Sequence, residues 1–219
     1  MVDLLAYIAG MLMLGAGVGL FSAALGLGGG LLMVPAFMLF VPGMDSHTAK
    51  GTSLFLIIFV SALNAWQLNR GLEKIPWRLA GMLASGSVFG SFFGAWVTAR
   101  LPENTVTLLF VGFVLLIAVR TFFIRERIVQ EEETHRRNGL AVCIGFLAGL
   151  AGGATGTGGG AVLIPLALMA GMVSNERAVG LSNLVMVATS IAGSVAHLQA
   201  ERVFPGAWTV GHVSLSIVP

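Results

Sequence analysis

The chain has 219 residues, of which 56% are hydrophobic and only 10% charged, with a mean hydropathy of +0.91 and a formal net charge of +2. Soluble domains carry about 25% charged residues, so this composition reads as an integral membrane protein, and so small and scattered a positive charge excludes nucleic acid as a partner. The single cysteine, Cys143, lies in an apolar run; it excludes an intramolecular disulfide and is read as a packing residue.

Met1-Val2-Asp3 has no basic n-region and no small-residue cleavage site follows, so the first apolar run is read as retained structure rather than a signal peptide. Leu4 to Leu25 is twenty-two apolar or small residues, about 33 Å as a helix and enough to span a bilayer. Gly26-Leu27-Gly28-Gly29-Gly30 then breaks the run, and Leu31 to Val41, with Pro35, continues it for half that length. Backbone freed by such a break cannot face lipid, where each unpaired N–H or C=O costs several kcal/mol, so it must face protein or a watery cavity.

A loop with Pro42, Gly43, Asp45 and His47 leads to an apolar run from Thr48 to Leu68, and a basic loop with Arg70, Lys74 and Arg78 leads to another from Leu79 to Ala99. Gly81, Gly86, Gly90 and Gly94 fall on nearly one face of that helix, the pattern that lets helices approach closely, and packing is the preferred reading. Arg100, Pro102 and Glu103 form a turn, and Val106 to Ile124 is a further span. The strongly charged stretch is Arg125 to Arg137, whose arginines mark the cytoplasmic side. Counting back places the Arg70–Arg78 loop in the cytoplasm and the Arg100 turn outside. Glu131-Glu132-Glu133 reads as a solvated linker face.

The second half repeats the first. At an offset of 130, Gly15, Gly19, Gly26, Gly28, Gly29, Gly30 and Pro35 meet Gly145, Gly149, Gly156, Gly158, Gly159, Gly160 and Pro165. After one deletion, Ala49, Gly51, Ser53 and Pro76 meet Ala178, Gly180, Ser182 and Pro205. An ordered set with both prolines implies an internal duplication. The expected fold is an all-α polytopic membrane protein with a first repeat at 1–124, a cytoplasmic linker at 125–137 and a second repeat at 138–219, each repeat holding a glycine-broken helix pair. By analogy the second repeat lacks its last span, roughly thirty-five residues: a truncated chain, a lost helix, or a face covered by a neighbouring subunit.

A short helix beginning at Gly29 or Gly159 presents unpaired N–H groups and about half an elementary positive charge at its start. Two such ends near the midplane make an anion site, for which glycine allows the unusual dihedrals and the close approach. The candidate site is Gly28, Gly29, Gly30, Thr52 and Ser53 in the first half and Gly158, Gly159, Gly160, Ser182 and Asn183 in the second, with Thr155 and Thr157 at the second break. The competing reading of the hydroxyls is bonding to their own helix or interhelical packing. Lys50 and Arg177, at helix starts, either draw anions to the mouth or snorkel, and snorkelling is preferred.

Other motifs are refused. Gly156-Thr157-Gly158-Gly159-Gly160-Ala161 matches a dinucleotide-binding pattern, but no strand precedes it. His47, His135, His197 and His212 lack metal-ligand spacing, and for His197 a hydrogen-bonded packing role is preferred over titration. No nucleophile-and-base constellation appears, so an enzyme is not expected, nor is any cofactor. If each glycine-broken pair dips in and returns to its own side, the repeats are inverted; if it crosses once, they are parallel. Twenty-two plus eleven residues fit the hairpin better.

The duplicated pattern of apolar helix, G-x-G-G-G, proline five residues on and Gly51-Thr52-Ser53 resembles the sulfite exporter TauE/SafE family of anion permeases, over essentially the whole chain but for a final span. The resemblance implies a multi-pass protein of the prokaryotic inner membrane that moves small sulfur-containing or carboxylated anions such as sulfite, sulfonates or sulfoacetate. Its expected partners are that anion, the lipid bilayer, a coupling ion, H⁺ or Na⁺, and a second copy in a homo-oligomer. An anion or water channel and a non-transporting membrane partner subunit are the alternatives.

Overall fold

The computed structural model describes residues 10, 13, 15–17, 19, 30–41, 44–70, 75–102, 104–105, 108, 111–112, 115, 119, 138–199, 209–210 and 213–214. Its helices are α1 (Gly30–Phe40), α2 (Ser46–Asn69), α3 (Trp77–Thr98), α4 (Asn138–Thr155), α5 (Gly160–Met169) and α6 (Asn175–Leu198). The described positions within 10–19 and 104–119 are helical as well. Gly28, Gly29, the linker 125–137 and most of the runs Leu4–Leu25 and Val106–Ile124 lie outside the described residues.

One short departure from helix occurs. Strands β1 (Thr209–Val210) and β2 (Val213–Ser214) pair antiparallel, Thr209 with Ser214 and Val210 with Val213. The duplication expected from the sequence would align this segment with the start of α3 and make it helix; the β-branched Thr209, Val210 and Val213 favour extended backbone instead.

Length sorts the helices into two kinds. α2, α3, α4 and α6 are long and apolar enough to cross a membrane. The 11 residues of α1 and 10 of α5 rise only about 15 Å, half a hydrocarbon core. Each short helix holds its proline, Pro35 or Pro165, at the sixth position, where the missing N–H removes one rung of the ladder. α2 starts earlier than its apolar run suggests, because the Asp45 carboxylate accepts the N–H groups of His47 at 3.1 Å and Thr48 at 3.3 Å, satisfying orphan donors of the first turn. This cap sets Lys50 inside the helix.

α3 and α4 are joined through glycine. A Cβ added at Gly86, Gly90 or Gly94 would collide with the carbonyls of Val142, Phe146 and Leu150, and one at Gly145, Gly149 or Gly153 with those of Leu83, Ser87 and Ser91. Backbone therefore rests on backbone from both sides, as close small-residue packing requires. Gly81 meets nothing within 4 Å among the described residues, so three of the four expected glycines pack and the fourth does not.

The same contacts give directions. Partners on α3 and α4 ascend together, so the two helices run parallel and begin on one side. α2 and α6 run antiparallel, because Leu54 lies beside Gly193, Asn64 bonds Asn183, and Leu68 lies beside Gly180. α6 is parallel to α3, with Ile75 beside Gly180 and the Ser91 hydroxyl donating to the Thr189 carbonyl at 2.7 Å. α4 and α6 thus start on the same side, and the chain between them enters along α4 and returns along α5. In this half the glycine-broken pair is a hairpin.

Buried Ala80, Leu83, Ile144, Leu163, Leu181 and Val185 belong to one core between α3, α4, α5 and α6, and Val34, Phe37 and Ala49 to a smaller one between α1 and α2. Tryptophans mark the outer levels. Arg70 stacks over Trp66 at 3.7 Å, Arg100 over Trp96 at 3.9 Å, and Trp77 is exposed at the start of α3, an arrangement suited to membrane–water interfaces. From Trp77 to Trp96 the rise is about 28 Å, close to a hydrocarbon core.

Candidate functional site

The site forms where α4 ends. Gly156, Gly158 and Gly159 take φ of 78°, 73° and 83°, left-handed backbone that side chains resist, and α5 begins at Gly160 with no side-chain cap. The first bonds of α5 run from the N–H of Val162 and Leu163 to the Gly159 carbonyl, at 3.1 and 2.9 Å. Among the described residues no acceptor meets the N–H groups of Gly158, Gly159, Gly160 or Ala161. Two of these donors, on Gly160 and Ala161, belong to the first turn of α5, a helix start that carries about half a positive charge, and the other two belong to the turn before it, where the Gly159 nitrogen packs against Gly152 of α4.

The two halves meet there. A Cβ on Gly30, the first residue of α1, would collide with the Thr157 carbonyl and lie 2.6 Å from the Ile57 side chain. The start of α1 is thereby set against the second break, as the sequence leads one to expect for the two half-helix ends. Gly28 and Gly29 lie outside the described residues.

The expected side-chain donors fall into different situations. Ser182, 1% exposed, brings its hydroxyl to within 3.0 Å of where a Gly160 Cβ would sit, and that oxygen has no hydrogen-bond partner among the described residues. Ser53 donates to the Gly156 carbonyl at 2.9 Å, tying α2 to the break. Asn183 donates to the Val179 carbonyl at 2.9 Å and accepts from Asn64 at 3.4 Å, so its amide holds the α2–α6 crossing. Thr52 is fully buried one position before Ser53. The hydroxyls of Thr155 and Thr157 lie 2.9 Å apart, and that of Thr155 donates to the Ala151 carbonyl at 2.7 Å.

Lys50 departs from the sequence reading. It does not snorkel: its side chain is 1% exposed, packs on Gly156 and donates to the Ala154 carbonyl at 3.0 Å, while Arg177 stays half-buried in the first turn of α6. Among the described residues no carboxylate forms an ion pair with Lys50. A Lys50 ammonium at this place, beside the carbonyl end of α4, counters the negative end of that helix. Cys143, expected to pack, is exposed on α4. His197 is fully buried.

Comparison with known proteins gives a consistent picture. The chain is 25% identical to the probable membrane transporter protein YunE of Bacillus subtilis, over 94% of this chain and 87% of that protein. It is 29% identical to the probable membrane transporter protein YdhB of the same organism, over 78% and 71% of the two chains. A probable membrane transporter protein of Methanocaldococcus jannaschii is 27% identical over 91% of this chain and 75% of its own. No solved structure matches the chain. The family model for sulfite exporter TauE/SafE matches residues 11–219, nearly the whole chain, and this protein therefore belongs to the sulfite exporter TauE/SafE family of membrane transporters.

Proposed function

We propose that the protein is a secondary transporter, a permease or exporter of a prokaryotic inner membrane, for small sulfur-containing or organic anions such as sulfite or sulfonates, bound between two glycine-broken half-helices. The observation that carries this reading is the cluster of N–H groups at Gly158–Ala161 that meet no acceptor among the described residues, with the buried Ser182 hydroxyl, also without a partner among them, beside Gly160 and the start of α1 packed on Thr157. Backbone donors at a helix start bind anions without a fixed cation, and Lys50 adds charge at the same break. The family supplies the transporter class; the class of anion is suggested by the chemistry of the donors and by the family's name.

An inverted duplication supports the carrier mechanism. α1 and α5 start 130 positions apart with proline at the same place, and α2 and α6 start 129 positions apart yet run antiparallel. Repeats at 1–124 and 138–219, joined through the linker 125–137, would then offer the two half-sites from opposite sides, and rocking of one against the other gives alternating access, driven by a coupling ion, H⁺ or Na⁺.

The test is thermal unfolding of the purified protein in detergent with sulfite, sulfate, thiosulfate, taurine, sulfoacetate and acetate. An anion at 100 times its dissociation constant adds about 2.7 kcal/mol to the native state, so the preferred anion should raise the midpoint, and Ser182→Ala should lose most of that rise. A folded protein that none of these anions stabilises would overturn the reading.

A further inference from the structure

The offset of 129 that pairs Ser53 with Ser182 also pairs Ile57 with Met186 and Ser61 with Ser190. Both Ser61 and Ser190 are 0% exposed, and neither hydroxyl has a hydrogen-bond partner among the described residues. This is unusual, since buried hydroxyls are satisfied as a rule and a serine in a helix can bond its own preceding carbonyl. Ser190 lies at the break itself, 3.1 Å from where a Gly158 Cβ would sit, between Ile57 and Met186.

Register places these hydroxyls in a row. The pairings Leu54 with Gly193, Asn64 with Asn183 and Leu68 with Gly180 set residues of α2 and α6 level when their numbers sum to about 247. By that register Ser190 stands level with Ile57, and Ser182 with Ala65, while Ser61 lies midway between those levels on the facing helix. Successive hydroxyls then alternate between α6, α2 and α6, about 6 Å apart along the seam. N–H groups can only donate, and an O–H with no acceptor is free to donate too, so the row suits an oxyanion that exposes several acceptor oxygens, held by two neighbouring rungs at a time.

We infer that Ser61 and Ser190 are anion-binding residues, which with Ser182 and the Gly160 and Ala161 N–H groups at the start of α5 form a row of donors carrying the oxyanion along the α2–α6 seam past the glycine break. The inference rests on the anion-transport reading above. It adds two donors that family membership does not assign and specifies a ligand with three or more acceptor oxygens.

Thermal unfolding of Ser61→Ala and Ser190→Ala, with and without whichever anion of the panel stabilises the unmodified protein most, tests it. Without anion each variant should unfold at or above the original midpoint, because a partnerless buried hydroxyl has been removed. With anion, binding should weaken about tenfold to a hundredfold, the worth of a hydrogen bond to a charged group. Ser91→Ala, which cuts the bond to the Thr189 carbonyl, should lower the midpoint without anion and leave the anion-induced rise intact. Full retention of that rise in both Ser61→Ala and Ser190→Ala, with its loss in Ser182→Ala, would overturn this inference and leave the transport reading standing. A lowered midpoint without anion in both variants would mark the hydroxyls as structural and overturn it equally, and no stabilisation by any anion would overturn both readings.

Discussion

Lys50 concentrates the electrostatics of the site in one residue. Its ammonium is buried against Gly156 and bonds only the Ala154 carbonyl among the hydrogen bonds described, and an intramembrane charge of this kind is costly unless something negative shares its surroundings. The α4 carbonyl end and the Asp45 carboxylate before α2 supply part of that; a bound anion would add to it. For an ion pair about 6 Å apart at an effective dielectric near 20, the attraction is about 3 kcal/mol, roughly a hundredfold in affinity. Lys50→Met should therefore remove most of the anion-induced thermal stabilisation, while Lys50→Arg, which keeps the charge, should retain part of it. If Lys50→Met binds the anion as the unmodified protein does, Lys50 serves α4 alone as a cap. The burial of this lysine was not legible in the sequence. It stands two residues into its apolar run, where a long side chain can reach water; the Asp45 cap sets it inside α2 and Gly156 packs on it.

At the scale of elements, what was legible depended on whether the signal was local. The half-length helices announced themselves through glycine clusters and interior prolines, which act on their own backbone, and the left-handed Gly156, Gly158 and Gly159 bear that out. Packing partners are a tertiary matter. Gly86, Gly90 and Gly94 marked a contact face on α3, but nothing in that segment names Gly145, Gly149 and Gly153 of α4 as the surface it meets. The same limit applied to Gly81, which follows the spacing yet meets nothing within 4 Å among the described residues. A substitution series separates these cases: Gly149→Ala and Gly90→Ala should each lower stability by about 1–3 kcal/mol, since a methyl group must push two backbones apart. Gly81→Ala should be neutral or stabilise by up to about 1 kcal/mol through helix propensity. Thermal unfolding in detergent reads all three, and equal effects at Gly81 and Gly149 would contradict backbone-on-backbone packing.

For the whole molecule, direction is what the sequence left open and the register of contacts resolves for the described helices. Hydropathy gives lengths, which favour a hairpin over a single tilted span, and arginine counts give sides, but composition is the same for a hairpin and a kinked span and does not fix the direction of each helix. The parallel run of α3 with α4 and of α3 with α6 makes the α4–α5 pair a hairpin. Arg70 and Arg78 flank the loop before α3, so the positive-inside rule predicts that α3, α4 and α6 start in the cytoplasm. α2, antiparallel to α6, must then start outside. If the first half repeats the second, its own glycine-broken pair enters from outside and returns there, leaving Asp3 outside. In a Cys143→Ser background, which removes the exposed native thiol, Glu176→Cys at the exposed start of α6 should be labelled by an impermeant thiol reagent only from the cytoplasmic side, and Asp3→Cys only from the outside. A cytoplasmic Asp3 together with a cytoplasmic Glu176 would mean that the two halves enter the membrane from the same side. The first glycine-broken pair would then cross once instead of returning to its own side, and the inverted-repeat mechanism of alternating access would fail.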